Sequence, residues 1–232
     1  MQTIFSIPRR ILNIINKRGI INAFKFVYSR YWFLLWYRIK VEKILAPDQI
    51  GVVDGQHLSN AHFYEAISHY SFNRMLKNIN WDWCSSTFLD YGSGKGAALI
   101  LAINFKFKKY IGVEFSPFLI EQCEINIEKF IRKKRLKIDY EIVCTDATQY
   151  IIPDDVNVFY FFNPFDIFVL EIVLQKIEES LNKNKRDILL LYFNAINQDL
   201  VLTYNYKIIY AEQIDRITGY VAGNYAFEKL KN

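Results

Sequence analysis

Short apolar runs alternate with stretches of helical periodicity through the middle of this chain, and the runs end alike. Residues 88–91, 109–114, 140–144 and 156–162 are β-rich, and each stops at or just before a polar or small residue: Asp90 and Gly92, Glu114, Asp146, and Asn163. The periodicity predicts helices from about Gly96, over 117–134 and over 167–182. Residues 187–193 (Asp-Ile-Leu-Leu-Leu-Tyr-Phe) are almost continuously apolar, the pattern of a strand covered on both faces. Two more β-like stretches follow near 205–211 and 220–228. Upstream, helical patterns at 8–17 and 20–45 give way to a break at Pro47-Asp48 and Gly51/Gly55, then to helical material at 60–79. Strands alternating with helices predict an α/β domain with a mostly parallel sheet of seven strands, preceded by a helical extension.

The densest chemistry lies in Asp90-Tyr91-Gly92-Ser93-Gly94-Lys95-Gly96. Glycine permits positive φ and close approach of a ligand, and a helix opening beyond Gly96 offers unpaired N–H groups to an anionic group. A phosphate-binding P-loop needs Ser or Thr after its lysine, and Lys95 is followed by Gly96. A dinucleotide loop reads G-x-G-x-x-G, whereas the spacing here is G-x-G-x-G. An acid on the strand itself suits a ligand carrying an ammonium or sulfonium charge. S-adenosylmethionine carries both, together with a carboxylate. Glu114, 24 positions after Asp90, ends the next strand, where a carboxylate can accept the hydroxyls of a ribose. That cue is shared with NAD, so a nucleotide-binding oxidoreductase stays open as an alternative.

Taken together, D-x-G-S-G-K-G, G-V-E-F-S, D-A and F-N-P-F make residues 87–165 resemble the class I S-adenosylmethionine-dependent methyltransferases. Within that superfamily the pattern is similar to a bacterial group distantly related to the histone-lysine methyltransferases that lack a SET domain. The resemblance implies a Rossmann-like sheet with helices on both faces and an antiparallel edge. It also implies an enzyme that uses S-adenosylmethionine and works in the cytoplasm. In cofactor binding, Gly92, Gly94 and Gly96 would wrap the methionine portion with Asp90 near its ammonium group, and Glu114 would hold the ribose. Phe115 would lie against the adenine, with Asp146 taking its amino group and Ala147 adding a backbone contact. Asn163-Pro164-Phe165 is the candidate catalytic motif, because enzymes that methylate amino nitrogens use an Asn or Asp with proline and an aromatic to orient the nucleophile. A simpler role for Asn163 is to cap the helix that starts near Phe165. Lys95 reads as a solvated loop residue.

Charge divides the chain at about residue 47. Residues 1–47 hold nine Lys or Arg and one acid, whereas the remainder holds 20 bases and 23 acids. The basic arm is interleaved with aromatics, and residues 31–37 (Tyr-Trp-Phe-Leu-Leu-Trp-Tyr) are apolar on every face of a helix. That run is far shorter than the ~20 residues of a membrane span. Its own core, a protein partner and a membrane surface are the three ways to bury it, and packing on 48–232, the presumed methyltransferase domain, is the simplest. A non-catalytic adaptor that keeps the fold and works through this arm is a further alternative. Cys84, Cys123 and Cys144 are far apart, and His57, His62 and His69 are loosely placed, so no disulfide framework or metal is expected. Cys123 and Cys144 read as small buried hydrophobes. The methyl acceptor is not legible.

Overall fold

The computed structural model describes Ile39, residues 67–162, 165–215 and 221–230. Most of the basic arm, His57, His62, Asn163 and Pro164 lie outside these residues. The described part of the upstream segment contributes Ile39, fully buried in the same cluster as Phe72 and Met75.

The chain runs α1 (His69–Lys77), β1 (Thr87–Tyr91), α2 (Ala97–Ile103), β2 (Lys109–Glu114), α3 (Pro117–Lys134), β3 (Tyr140–Cys144) and β4 (Val156–Phe162). It continues with α4 (Ile167–Lys183), β5 (Leu189–Ala195), α5 (Gln198–Thr203), β6 (Tyr206–Asp215) and β7 (Val221–Lys229). Seven strands form one sheet in the order β3-β2-β1-β4-β5-β7-β6. All neighbouring pairs from β3 to β5 are parallel, and β7 runs antiparallel to both β5 and β6. The order reverses direction between β1 and β4. In open α/β sheets such a switch opens a crevice at the carboxyl ends of the strands, which is where ligands bind.

Alternation along the strands feeds two cores. Phe88, Tyr110, Tyr160, Leu191 and Phe193 face α1, α2 and α3, while Leu89, Ile111, Phe159, Phe161 and Tyr192 face α4 and α5. Strand faces covered on both sides explain why β5 is buried at all its positions and reads as a solid apolar run. An aromatic cluster consolidates the first core, with Phe72 of α1 stacked on Phe193 at 6.0 Å and edge-on to Phe88 at 6.5 Å.

Helix ends follow local chemistry. Ser116 caps α3 by accepting from the Leu119 N–H, Pro117 fills the first turn, and Arg132, Lys133 and Lys134 sit at the negative end. The cap of α4 is Asp166, whose Oδ1 accepts from the Val169 N–H at 2.9 Å. This corrects the capping role considered for Asn163: α4 starts at Ile167, and its N-cap is Asp166. Cys123 is buried as expected, but Cys144 is exposed, because β3 is the edge strand and its end has no neighbour beyond.

Candidate functional site

The glycine loop leaves β1 with three left-handed residues in alternation, Gly92 (φ 74°), Gly94 (φ 52°) and Gly96 (φ 79°). Only glycine adopts this conformation without strain. The loop is tied sideways to β2, since the N–H groups of Gly92 and Ser93 donate to the Val113 carbonyl at 2.8 and 3.1 Å. At Gly96 a second constraint applies, because a Cβ there would lie 2.7 Å from Cys123 Sγ of α3. Gly96 is therefore a packing requirement as well as a turn. Gly112 plays the same part on β2, where a Cβ would meet Leu99 and the Ser93 hydroxyl at 2.9 Å each.

Under this loop lie two carboxyl groups. Asp90, in register with Gly112 on one side and Tyr160 on the other, is only 2% exposed. Burial, and then the nearby Glu114, hold its carboxyl well above the ordinary value of 3.8. Glu114 is 4% exposed, and burial raises it too, against the opposing pull of backbone hydrogen bonds. Its Oε2 accepts from the Gly94 N–H at 3.0 Å, and its Oε1 from the Phe115 and Ser116 N–H groups, both at 3.0 Å. Glu114 thus pins the glycine loop to the β2–α3 turn. A carboxylate has about four lone-pair sites, so about one remains for a ligand in this rotamer.

The other expected residues fall around the same rim. Phe115 stands half-exposed directly after Glu114. Asp146 and Ala147 follow β3, which pairs Glu114 with Cys144. Asp146 Oδ1 accepts from the N–H and the hydroxyl of Thr148 at 2.7 and 2.6 Å, closing its own turn. Phe165 lies beside Tyr91 and Phe161 at ring distances of 6.1 and 6.3 Å, on the face of the second core. Phe161 is core and stacks on Tyr91 at 5.6 Å.

Two features escaped the sequence. Lys95 is 6% exposed rather than solvated, with its carbonyl held by Asn126 Nδ2 of α3 at 3.0 Å. The short loop folds back against α3, and this buries whatever follows Gly94. The Ser93 hydroxyl is buried within the loop, with the Cys123 thiol of α3 as a hydrogen-bonding neighbour. A serine between two obligatory glycines was the available signal.

The donor set fits S-adenosylmethionine. Two buried carboxyls with raised proton affinity are stabilised by a cationic group. No group of three metal-ligating side chains occurs among the described residues, and no helix among them is long and apolar enough to cross a membrane.

No protein-family model matches the chain, and no curated protein matches it in sequence. Solved structures do share the fold. The N-methyltransferase NodS from Bradyrhizobium japonicum superposes with a TM-score of 0.54 at 12% identity, over 70% of this chain and 96% of its own. A Listeria monocytogenes protein provisionally assigned as an S-adenosylmethionine-dependent methyltransferase gives 0.51 at 12% identity, over 70% and 99%. The StiE O-MT gives 0.52 at 12% identity, over 70% and 74%. The chain therefore has the class I methyltransferase fold. Neighbours named for transfer to nitrogen and to oxygen match about equally well, so the fold is neutral on the acceptor atom.

Proposed function

We propose that this protein is an S-adenosylmethionine-dependent methyltransferase acting on an amino nitrogen of a protein lysine or small amine. The observation that carries the reading is the pair of buried carboxyls, Asp90 and Glu114, beneath a loop of three left-handed glycines at the sheet's switch point. Burying two acids together is costly unless a cation joins them, and the cofactor's ammonium and sulfonium supply that cation.

In this reading Gly92, Gly94 and Gly96 give the backbone room around the methionine portion, with Asp90 near the ammonium. Glu114 holds the ribose, Phe115 lies along the adenine, and Asp146 and Ala147 meet its edge. When bound, the cofactor supplies a methyl group activated by its positive sulfur. Asn163 and Pro164 offer oxygen acceptors to the amine N–H groups, which turns the nitrogen lone pair toward the transfer, and Phe165 walls the position. Orientation of this kind supplies much of the rate in a direct displacement, so no general base is required of the protein.

A second reading rests on Glu114 itself. Three backbone N–H groups already occupy its carboxylate, which is what a purely structural pin needs. On that view the chain keeps the fold as a non-catalytic adaptor. Calorimetric titration with S-adenosylhomocysteine separates the two. Saturable one-site binding, absent for NAD, supports the enzyme; no binding to folded protein overturns it. Free methionine, which has no ribose, refines the Glu114 role. If Glu114 touches the ribose, Glu114→Gln weakens S-adenosylhomocysteine more than methionine, whereas a pin alone weakens both equally.

A further inference from the structure

The sheet carries one irregularity that the cofactor site leaves unexplained. Where β5 meets β7, Tyr192 pairs with Tyr225 and Ala195 with Gly223, so Phe193 and Asn194 together oppose Asn224 alone. This is a β-bulge, a device that re-aims a side chain and is common beside active sites. Asn194 takes the left-handed conformation with φ 53°. Its N–H donates to Asn224 Oδ1 at 3.1 Å, which repairs the ladder bond the bulge removes.

That bond fixes the Asn224 amide and turns its Nδ2 away. The residue is 1% exposed, yet Nδ2 has no acceptor. Asn194 is 7% exposed, and its Oδ1 has no donor. Leaving such groups unmade costs about 1–3 kcal/mol each. The bulge itself does not call for them: glycine at 194 would take the same φ and bury no carboxamide.

Their position gives the pair a use. Tyr91, Phe161 and Tyr192 lie side by side across β1, β4 and β5. Asn194 stands two residues past Tyr192, near the carboxyl end of β5, and β5 runs parallel to β4 and β1, so it ends on the same rim of the sheet as the glycine loop. Alternation sets Asn224 on the face of Ala226 and Phe193, the face that also holds Tyr160 and α1. Between them the two asparagines leave one buried donor and one buried acceptor unmade. An ammonium offers only donors and a carboxylate only acceptors, whereas a neutral amide offers both and carries no charge to desolvate, on one edge in a primary carboxamide and on opposite sides in a trans peptide bond.

We infer that the Asn194–Asn224 pair recognises a neutral amide group of the methyl acceptor, either a peptide bond or a primary carboxamide. The inference rests on the methyltransferase reading and adds a specificity site to it. The test uses the full chain saturated with S-adenosylhomocysteine and labelled with nitrogen-15, titrated with benzamide, N-acetylglycine N-methylamide, benzoate and benzylamine. Saturable shifts of the Asn224 side-chain amide signals are expected with at least one of the two amides, and which one responds tells the sources apart. Benzoate and benzylamine are expected to be at least tenfold weaker. Asn194→Gly, which keeps the backbone conformation, is expected to stay folded, to bind S-adenosylhomocysteine within twofold of wild type, and to lose amide binding at least tenfold. Asn224→Asp keeps the oxygen that serves the Asn194 N–H, removes Nδ2, and is expected to show the same loss. Cofactor binding with no saturable amide response, or a response that both variants keep, overturns the inference alone. Failure to bind S-adenosylhomocysteine removes the methyltransferase reading and the inference with it.

Discussion

The two sides of the switch between β1 and β4 handle buried polarity in different ways. On the β1–β2–β3 side the two rim carboxylates are held by nearby groups, Glu114 collecting three N–H groups and Asp146 closing a turn on Thr148, while the Tyr91 hydroxyl in the core stays unmade. On the β5–β7 side Asn194 and Asn224 share one bond and leave one atom each unmade. The first side is preformed for a ligand of fixed shape. The second leaves one donor and one acceptor unmade within the sheet.

The comparison breaks most visibly at Gly96. An added methyl group there meets both the positive φ and Cys123 Sγ at 2.7 Å. Gly96→Ala is expected to lower stability by roughly 2–4 kcal/mol, a combination of backbone strain and overpacking. Urea denaturation gives the value, and adding Cys123→Ala should return the overpacking part but not the strain. If the double substitution recovers nothing, the close packing of α3 on the loop is wrong. Next in size is Glu114→Ala, which orphans the N–H groups of Gly94, Phe115 and Ser116. It is expected to cost ~1.5–3 kcal/mol, equivalent to about ten- to a hundredfold in S-adenosylhomocysteine affinity. Unchanged affinity counts against any role for Glu114 in the site.

Asp90 sharpens the contrast through pH. Its folded proton affinity lies well above the ordinary value of 3.8 because of burial and Glu114. Below that value both folded and unfolded chains are protonated, and the group contributes nothing. As pH rises above it the unfolded chain ionises first, so the folded chain loses stability until its own carboxyl titrates, and the penalty is constant beyond. Asp90→Asn removes this penalty. The variant is expected to be more stable than wild type at pH 7, with the difference shrinking toward pH 4. Cofactor affinity is expected to move the opposite way, since the acid's partner is the ligand's cation. Thermal unfolding at a series of pH values tests the first statement and calorimetry the second; an Asn variant that is less stable at neutral pH would show Asp90 to be paired.

This asymmetry also marks what could be read from the chain. The sheet was legible because both of its faces are covered: β1, β2, β4 and β5 read as apolar runs, and the glycine spacing and the acid ending β2 are local patterns. Strand 189–195 begins and ends two residues later than the run 187–193 suggested, since Asp187 lies before the ladder and the bulge extends it to Ala195. Lys95 was misjudged because its burial comes from α3, which is distant in sequence. Asn194 and Asn224 are 30 positions apart and become a pair only through strand registry. Asn194 nonetheless follows an apolar run, as Asn163 does, and that parallel was a usable signal.

The smallest effect tests whether capping and chemistry are separate on the β4 side. Asp166 caps α4 through the Val169 N–H, three positions beyond Asn163 in sequence. Asp166→Ala is expected to cost about 1 kcal/mol of stability, the usual value of a lost cap, and to leave S-adenosylhomocysteine affinity within twofold. Asn163→Ala should do the reverse, sparing stability and cofactor binding while lowering methyl transfer to an amine acceptor. That outcome would separate the two residues, since the helix has its cap in Asp166. If Asn163→Ala instead destabilises the fold as much as Asp166→Ala does, the two asparagine-bearing strand ends, β4 and β5, lose their claim to be an acceptor platform, and the polar end of β4 becomes structural like those of β2 and β3.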